Sequence, residues 1–188
     1  LRGGPQAGGG PARRGRAVKA VVVTRPGGPE VLEVRDVPDP AYGPEEVRAR
    51  VRATAVNRAD LLQRRGRYPA PPGAPPDIPG LEFAGEVEEC GSRVRGLRPG
   101  DRVMGILGGG GYAERVSIHE RACIAVPPGL SWEQAAAVPE AFLTAHDALF
   151  ARGGLAAREA VLLHAAASGV GTAAVQIARA AGARVVAL

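Results

Sequence analysis

The chain has 188 residues, of which 45% are hydrophobic and 23% charged, and no apolar run is long enough to cross a membrane. Its formal net charge at pH 7 is +5, but four of these charges belong to an acid-free, Gly/Pro-rich leader and come from Arg2, Arg13, Arg14 and Arg16. The rest of the chain is close to neutral and has no zinc-finger, RNA-recognition or basic-helix pattern, which argues against a nucleic-acid or membrane partner.

The ends of the chain and its two cysteines limit which classes of protein it can belong to. Residues 1–17 are predicted to form a disordered or non-native leader. The only methionine is Met104, so Leu1 is not an initiator residue, and Leu188 lies inside a predicted strand, so we expect a fragment of a longer protein. Cys90 and Cys123 are too few for a disulfide framework or a metal knuckle and indicate a reducing, cytoplasmic compartment.

After the leader, short strands alternate with Gly/Pro turns. Residues 46–56 alternate apolar and charged side chains, which is typical of a half-buried strand with one wet face. Asn57 is placed to cap a short helix that runs to Arg65, and the proline-rich residues 69–79 are predicted to be a surface loop. The pattern indicates a compact antiparallel barrel or sandwich. Its other strands are predicted at residues 19–24, 31–37, 82–88, 102–107, 112–118 and 122–126.

Residues 108–111 are four consecutive glycines. They lack the Gly-Lys-Ser/Thr that completes a phosphate-binding loop, and a strand rather than a helix follows them. We therefore predict a hairpin turn.

Two helices are predicted next. Ser131 and Gln134 form an S-x-x-Q capping box, which marks the start of the first helix. Pro139 fits the first position of the second helix, which is predicted to run to residue 150.

The last stretch has the order strand, small-residue turn, helix, strand. His164 ends the first apolar run and is predicted to be a core residue, while Gly182 ends the helix before a strand at residues 184–188. This order is the βαβ unit that binds dinucleotides.

The turn of that unit departs from the usual three glycines, because Ala166, Ser168 and Gly171 stand at their positions. Small residues still allow a pyrophosphate to approach the free N–H groups and the positive dipole end of the helix. The alternative is a close strand–helix packing corner without a ligand.

Seven local motifs occur in one order along the chain. They are Arg25-Pro-Gly-Gly-Pro29, Ala55-Val-Asn-Arg-Ala-Asp-Leu61, Gln63-Arg-Arg-Gly-Arg-Tyr68, Gly80-Leu-Glu-Phe-Ala-Gly-Glu-Val87, Pro99-Gly-Asp-Arg-Val103, Pro139-Glu-Ala-Phe-Leu-Thr-Ala145 and His164-Ala-Ala-Ala-Ser-Gly-Val-Gly171. In this order they resemble the medium-chain dehydrogenase/reductase superfamily, in its zinc-free quinone oxidoreductase branch. The resemblance runs from about Lys19 to Leu188, and the loop at residues 71–74 together with Ser168 is most similar to the p53-inducible subgroup.

The resemblance implies a mixed β and α/β fold. An N-terminal GroES-like β-barrel domain would cover residues 18–140, on the substrate side. The truncated start of a Rossmann nucleotide-binding domain would follow at residues 141–188. The family's homodimer surface, and the residues that separate NAD from NADP, would lie beyond Leu188.

Zinc is not expected. Zinc-dependent relatives place a catalytic cysteine where this chain has Asn57 and a histidine where it has Leu81. A catalytic Zn²⁺ needs three side-chain ligands and an open fourth position, and neither an asparagine nor a leucine replaces a thiolate or an imidazole.

Without a Lewis acid, the substrate should accept hydride readily, as quinones and activated enones do. The resemblance implies NADPH as the hydride donor. It assigns Tyr68 and Asn57 to the nicotinamide and substrate, Thr144 to the cofactor, and the turn to the pyrophosphate, through Ser168, Gly169, Val170, Gly171 and Thr172.

Each assignment has a structural alternative. Tyr68 would be a surface tyrosine that begins the proline-rich loop, Asn57 simply a helix cap, and Thr144 a packed helix residue. Asp60 is expected to support the helix start rather than the chemistry.

The expected function of the parent protein is NADPH-dependent quinone reduction. The alternatives are reduction of an enone or enoyl thioester, and a non-catalytic short form that acts only as an interaction domain. The 188-residue chain has only the first strand, helix and second strand of the nucleotide fold, so by itself it is expected to be poorly stable and inactive.

Overall fold

A computed structural model describes residues 17–188. The predicted leader therefore lies outside the described residues, apart from Ala17. The described chain forms a β-rich module, three connecting helical segments and a βαβ unit.

The module begins with an antiparallel pair of strands, β1 (Val18–Val23) and β2 (Leu32–Val37), in which Val18 faces Val37. Alternate residues of β1, Val18, Ala20 and Val22, are buried, as expected for a strand with one core face. A single 3₁₀ turn at Pro29–Val31 follows the predicted Gly/Pro turn and leads into β2. Both predicted strands are confirmed.

A second, five-stranded antiparallel sheet forms the centre of the module in the order β6-β3-β4-β5-β7. Its core face buries Val47, Ala49, Phe83, Val87 and Val103. The strands are β3 (Glu46–Ala53), β4 (Glu82–Cys90), β5 (Arg102–Ile106), β6 (Arg115–His119) and β7 (Ile124–Ala125).

The solvent-facing side of β3 and β4 is a ladder of ion pairs. Arg48, Arg50 and Arg52 pair across the strands with carboxylates of β4. The charged half of the alternating pattern is thus the predicted wet face.

The hairpin predicted at residues 108–111 is wrong. This segment leaves β5, but β6 pairs with β3 and not with β5. The glycines instead bond backbone to backbone with the end of the proline-rich loop: Gly110 donates to the Ile78 carbonyl at 2.8 Å and Gly111 to the Gly80 carbonyl at 3.0 Å. A Cβ on Gly111 would lie 2.9 Å from the Gly80 carbonyl oxygen, so side chains would prevent this approach.

Three helices precede the βαβ unit. Helix α1 (Arg58–Arg64) starts after Asn57, and helix α2 (Trp132–Ala136) has the predicted capping box between Ser131 and Gln134. Helix α3 (Pro139–His146) continues as a π-helical segment, Asp147–Arg152, and ends at Gly153.

The βαβ unit consists of β8 (Ala160–Leu163), α4 (Gly169–Ala180) and β9 (Arg184–Ala187). The two strands are parallel, with Val161 facing Val185, and Gly182 ends the helix at a φ of +80°. His164 is exposed, so its predicted place in the core is wrong; it follows the last paired residue of β8.

Helix α3 lies between the β-rich module and the βαβ unit. It contacts β4 and β5 on one side and α4 on the other. Its Ala145 joins Ala173, Ala174 and Ala178 of α4 in one apolar cluster, where small side chains let the two helices approach closely. The predicted order of a β-rich module followed by the start of an α/β fold is confirmed.

Candidate functional site

The start of α1 is organised by the buried carboxylate of Asp60, which is 4% exposed. Its Oδ2 accepts hydrogen bonds from the Asn57 backbone N–H at 2.7 Å and from the Tyr112 hydroxyl at 2.9 Å. Its Oδ1 accepts from the Gly80 N–H at 3.1 Å. Asp60 therefore joins α1, the proline-rich loop and the segment before β6, in keeping with its expected supporting role.

A second buried carboxylate, Glu82 at the start of β4, is 2% exposed. Its Oε1 accepts from Asn57 Nδ2 at 2.8 Å, and its Oε2 accepts from the backbone N–H of Glu140 at 2.8 Å. Thr54 donates its hydroxyl to the Glu82 carbonyl at 2.6 Å. Glu82 thus links Asn57 to the first turn of α3.

Sequence reasoning missed Glu82. The available signal was a carboxylate directly before the apolar pair Phe83 and Ala84 at the start of β4, since a buried charge needs partners. Those partners lie on other elements, so the sequence alone did not identify them.

The two carboxylates change the acidity of their neighbours. Burial, and then the charges of Glu82 and Asp60, raise the pKa of the Glu140 carboxyl. Burial, and then the hydrogen bond to Asp60, raise the pKa of the Tyr112 phenol, which therefore stays protonated and donates.

Tyr68 lies apart from this network. Its side chain is 41% exposed and makes no hydrogen bond within residues 17–188. It faces a shallow groove whose lining includes Arg25, Gln63 and Pro76. The structure therefore places Tyr68 beyond the C-terminal end of α1 and Asn57 at its N-terminal end.

Thr144 lies on α3 and is exposed, next to the buried Ala145 that packs on α4. Its hydroxyl has no hydrogen-bond partner in the described part of the chain. Within residues 17–188 no hydrogen bond joins it to Asn57; the two are connected through Glu82 and the body of α3.

At the turn between β8 and α4, Ser168 is the N-cap of the helix. Its Oγ accepts from the Gly171 N–H at 3.0 Å, and its carbonyl accepts from the Thr172 N–H at 2.8 Å. The Thr172 hydroxyl donates to the Gly169 carbonyl at 2.9 Å. Two of the predicted pyrophosphate donors, the N–H groups of Gly171 and Thr172, are thus used within the turn.

Gly171 is required by packing. A Cβ there would lie 2.4 Å from the Ala165 carbonyl oxygen and 2.7 Å from backbone atoms of Ala166. Gly169 differs, because a Cβ there would meet nothing within 4 Å. The turn is also tightened by Ala165, which has a left-handed φ of +53°.

Residues 43–128 match the model of the alcohol dehydrogenase GroES-like domain family. The chain is 45% identical over 161 residues to a quinone oxidoreductase of Pseudomonas aeruginosa, which covers 85% of this chain and 49% of that protein. The solved structure of the human synaptic vesicle membrane protein VAT-1 homolog-like protein superposes with a TM-score of 0.84 at 34% identity, covering 92% of this chain and 56% of that one. The solved CurK enoyl reductase superposes with a TM-score of 0.83 at 31% identity, covering 90% and 53%.

The chain belongs to the medium-chain dehydrogenase/reductase superfamily. Its β-rich module is the GroES-like domain, and its βαβ unit is the start of the Rossmann domain of this superfamily. The chain spans about half the length of the curated relatives that it matches; for example, it covers 49% of the Pseudomonas protein.

Medium-chain dehydrogenases/reductases use a nicotinamide cofactor, and the turn fits the pyrophosphate of such a group. Ser168 keeps its hydroxyl hydrogen, and the N–H groups of Gly169 and Val170 have no intrahelical acceptor because they open α4. Both residues are exposed, and a Cβ at Gly169 would meet nothing. These three groups are the ones that would hold a phosphate oxygen.

The metal positions of the zinc-dependent members do not fit zinc. Asn57 has its amide nitrogen bound to Glu82, and Leu81 is 6% exposed in the core. Within residues 17–188 no group of three or more His, Cys, Asp and Glu side chains is placed to hold a metal ion. None of the helices in that part of the chain is long and apolar enough to cross a membrane.

The two thiols are not activated. Burial raises the pKa of Cys90, and it raises the pKa of Cys123 to about 12. Both are free and partly buried. Within residues 17–188, neither has a cationic neighbour that would lower the pKa of its thiol and make it a nucleophile.

Proposed function

We propose that this chain carries the substrate-side barrel and the first nucleotide-binding elements of an NADPH-dependent quinone oxidoreductase that works without zinc. The division at about residue 140, between a domain of residues 18–140 and one of residues 141–188, is part of this proposal. The activity is assigned to a protein of the relatives' full length.

One observation carries the proposal: an uncharged, hydrogen-bonded asparagine stands where zinc-dependent relatives have a metal-ligating cysteine. Asn57 is held by Glu82, and Leu81 replaces the second ligand. A site without a Lewis acid suits a substrate that accepts hydride without strong polarisation. Quinones meet this requirement, whereas alcohols need a metal or base to lose their hydroxyl proton. The likeness to the Pseudomonas quinone oxidoreductase supports the same class.

The nicotinamide cofactor supplies a hydride, which with one proton converts a quinone to a hydroquinone. The amide of Asn57 is proposed to orient the nicotinamide and the substrate carbonyl. The exposed hydroxyl of Tyr68 is proposed to hold the carbonyl or to pass it a proton. Thr144 is proposed to contact the cofactor from α3, while Ser168, Gly169 and Val170 bind its pyrophosphate and Gly171 and Thr172 shape the turn.

The test is NADPH oxidation by the full-length protein with an ortho-quinone and a para-quinone, before and after treatment with a zinc chelator. We expect quinone turnover that the chelator leaves unchanged. Tyr68→Phe should lower turnover without changing the melting temperature, because the side chain is exposed and makes no hydrogen bond. Turnover that disappears with the chelator would contradict the zinc-free assignment.

Reduction of an enone or enoyl thioester is the second candidate, favoured by the likeness to the CurK enoyl reductase. The same metal-free site would serve, because the β-carbon of such a substrate also accepts hydride. Parallel assays with a quinone and an enoyl thioester decide between the two by their kcat/KM ratio. If neither is reduced, a non-catalytic interaction domain becomes the better interpretation.

The choice of NADPH over NADH, a homodimer and a cytoplasmic location complete the proposal. The free thiols of Cys90 and Cys123 support a reducing compartment. The kcat/KM ratio for NADPH and NADH, and sedimentation of the full-length protein, test the first two.

A further inference from the structure

The carboxylate of Glu82 is buried and has no cationic partner within residues 17–188. It is 2% exposed, and its two oxygens accept hydrogen bonds from two neutral donors, Asn57 Nδ2 and the Glu140 N–H, each at 2.8 Å. Burying a carboxylate is costly unless its oxygens are satisfied, so this arrangement is retained only with both donors in place.

The chemistry of this contact fixes the orientation of Asn57. Both carboxyl oxygens of Glu82 act as acceptors, so the amide nitrogen and not the amide oxygen of Asn57 faces Glu82. One Nδ2 hydrogen is used by Glu82, and the other has no partner within residues 17–188. The side chain therefore presents a single N–H donor in one direction. An unrestrained asparagine amide would alternate between two orientations that exchange its nitrogen and oxygen.

The second oxygen of Glu82 fixes another element. The Glu140 N–H belongs to the first turn of α3, and α3 packs through Ala145 against α4, whose first residues form the nucleotide turn. We propose that Glu82 is a positioning residue that holds the Asn57 amide and the start of α3 in one arrangement. It thereby sets the geometry between the barrel side of the site and the nucleotide turn.

The use of the free Asn57 donor at the nicotinamide rests on the proposed function. The contacts of Glu82 with Asn57 and α3 do not depend on the proposed function, and they can be measured in this chain without any enzymatic activity. Absence of turnover in the unsubstituted full-length protein would therefore count against the proposed function alone.

The chain offers a clean probe, because Asn57 is its only asparagine. Selective ¹⁵N-asparagine labelling gives one side-chain NH₂ pair in a ¹H–¹⁵N spectrum. We expect one of its two protons to be shifted downfield and protected from exchange with solvent, and Glu82→Gln to remove both the shift and the protection. Glu86→Gln is the matched control on the same strand, because Glu86 is partly exposed and, within residues 17–188, its ion pair is with Arg52 alone.

A second measurement guards against a variant that simply unfolds. Asn57→Asp places two carboxylates face to face, whereas Glu82→Gln leaves one donor and one acceptor and lets the Asn57 amide turn over to accept through Oδ1. The combination of both changes restores a complementary pair with donor and acceptor exchanged. In urea unfolding we expect Asn57→Asp alone to raise the unfolding constant about tenfold or more, Glu82→Gln alone to have a smaller effect, and the double variant to recover most of the loss caused by Asn57→Asp.

An unchanged Asn57 side-chain signal in Glu82→Gln would overturn the proposal. Strictly additive losses in the double variant would also overturn it, because two residues that do not interact show no rescue.

Discussion

The two halves of the candidate site are built in opposite ways. On the barrel side, Asp60 and Glu82 are at most 4% exposed, and each of their four oxygens accepts a hydrogen bond from the protein. On the nucleotide side, Gly169 and Val170 are exposed, and the first N–H groups of α4 point out of the helix without an intrahelical acceptor. The carboxylates of the barrel half are hydrogen-bonded within the protein, whereas the nucleotide half has N–H groups that are free to bind a ligand.

This difference separates what holds the fold from what binds a ligand. The buried carboxylates contribute to stability whether or not a cofactor is present, since breaking their contacts leaves polar groups unpaired in the core. The open donors of the turn are solvated in the free chain and gain a partner only with an anion. Substitutions in the two halves should therefore differ in whether they change unfolding or binding.

The largest effect is expected from Asp60→Ala. It leaves the N–H groups of Asn57 and Gly80 and the hydroxyl of Tyr112 without their acceptor, which should lower the free energy of unfolding by roughly 3–5 kcal/mol. Urea unfolding followed by circular dichroism measures it. Tyr112→Phe removes only one donor and should cost about 1 kcal/mol; equal losses in the two variants would contradict this description of Asp60.

The next effect is a contrast between two glycines of the same turn. Gly171→Ala puts a methyl group 2.4 Å from the Ala165 carbonyl oxygen, which should cost about 1–3 kcal/mol of stability. Gly169→Ala adds a methyl group to open space and should stay within ~0.5 kcal/mol. Comparable destabilisation by both would show that the turn is less tightly packed than its geometry indicates.

Two capping serines sharpen the comparison further. Ser168→Ala and Ser131→Ala each remove a hydroxyl that accepts an N–H bond at a helix start, and each should cost about 1 kcal/mol in urea unfolding. Only Ser168→Ala should weaken NADPH binding in the full-length protein, as measured by fluorescence titration. A similar loss of affinity in Ser131→Ala would mean that the effect arises from general destabilisation.

The smallest effect concerns pH. The pKa of Glu140 is raised in the folded chain by burial and by Glu82 and Asp60, so its contribution to stability is fully present below the unfolded pKa and is lost as pH rises through the folded pKa. Glu140→Gln lacks this titration. Its stability should therefore increase relative to the parent chain as the pH rises above about 4.5, the unperturbed value, and a constant difference across this range would contradict the assignment.

Local patterns predicted most of the elements because those elements depend on local chemistry. The alternating residues 46–56 predicted β3, and the S-x-x-Q box predicted the start of α2. The strand ends earlier than expected, at Ala53, because Thr54 turns its hydroxyl to the Glu82 carbonyl as the chain leaves the sheet. The glycine run was misread as a hairpin because strand order is set by contacts between distant segments.

The site was predictable only in part, for the same reason. Asn57 was chosen from a motif, but its partner Glu82 is 25 residues away and the third member of that contact, Glu140, is 58 residues from Glu82. The two interpretations of the small-residue turn prove to be compatible. Gly171 is the packing corner, while Ser168 and Gly169 leave the open side on which a phosphate would bind.

The raised pKa values of the two cysteines have a further consequence if the substrate is a quinone. Quinones are electrophiles that arylate thiolates, and an enzyme that binds them is exposed to damage by its own substrate. Burial raises the pKa of Cys123 to about 12, so its side chain is a thiol rather than a thiolate at pH 7. Keeping these two sulfur atoms protonated and partly covered would protect Cys90 and Cys123 from arylation by such a substrate.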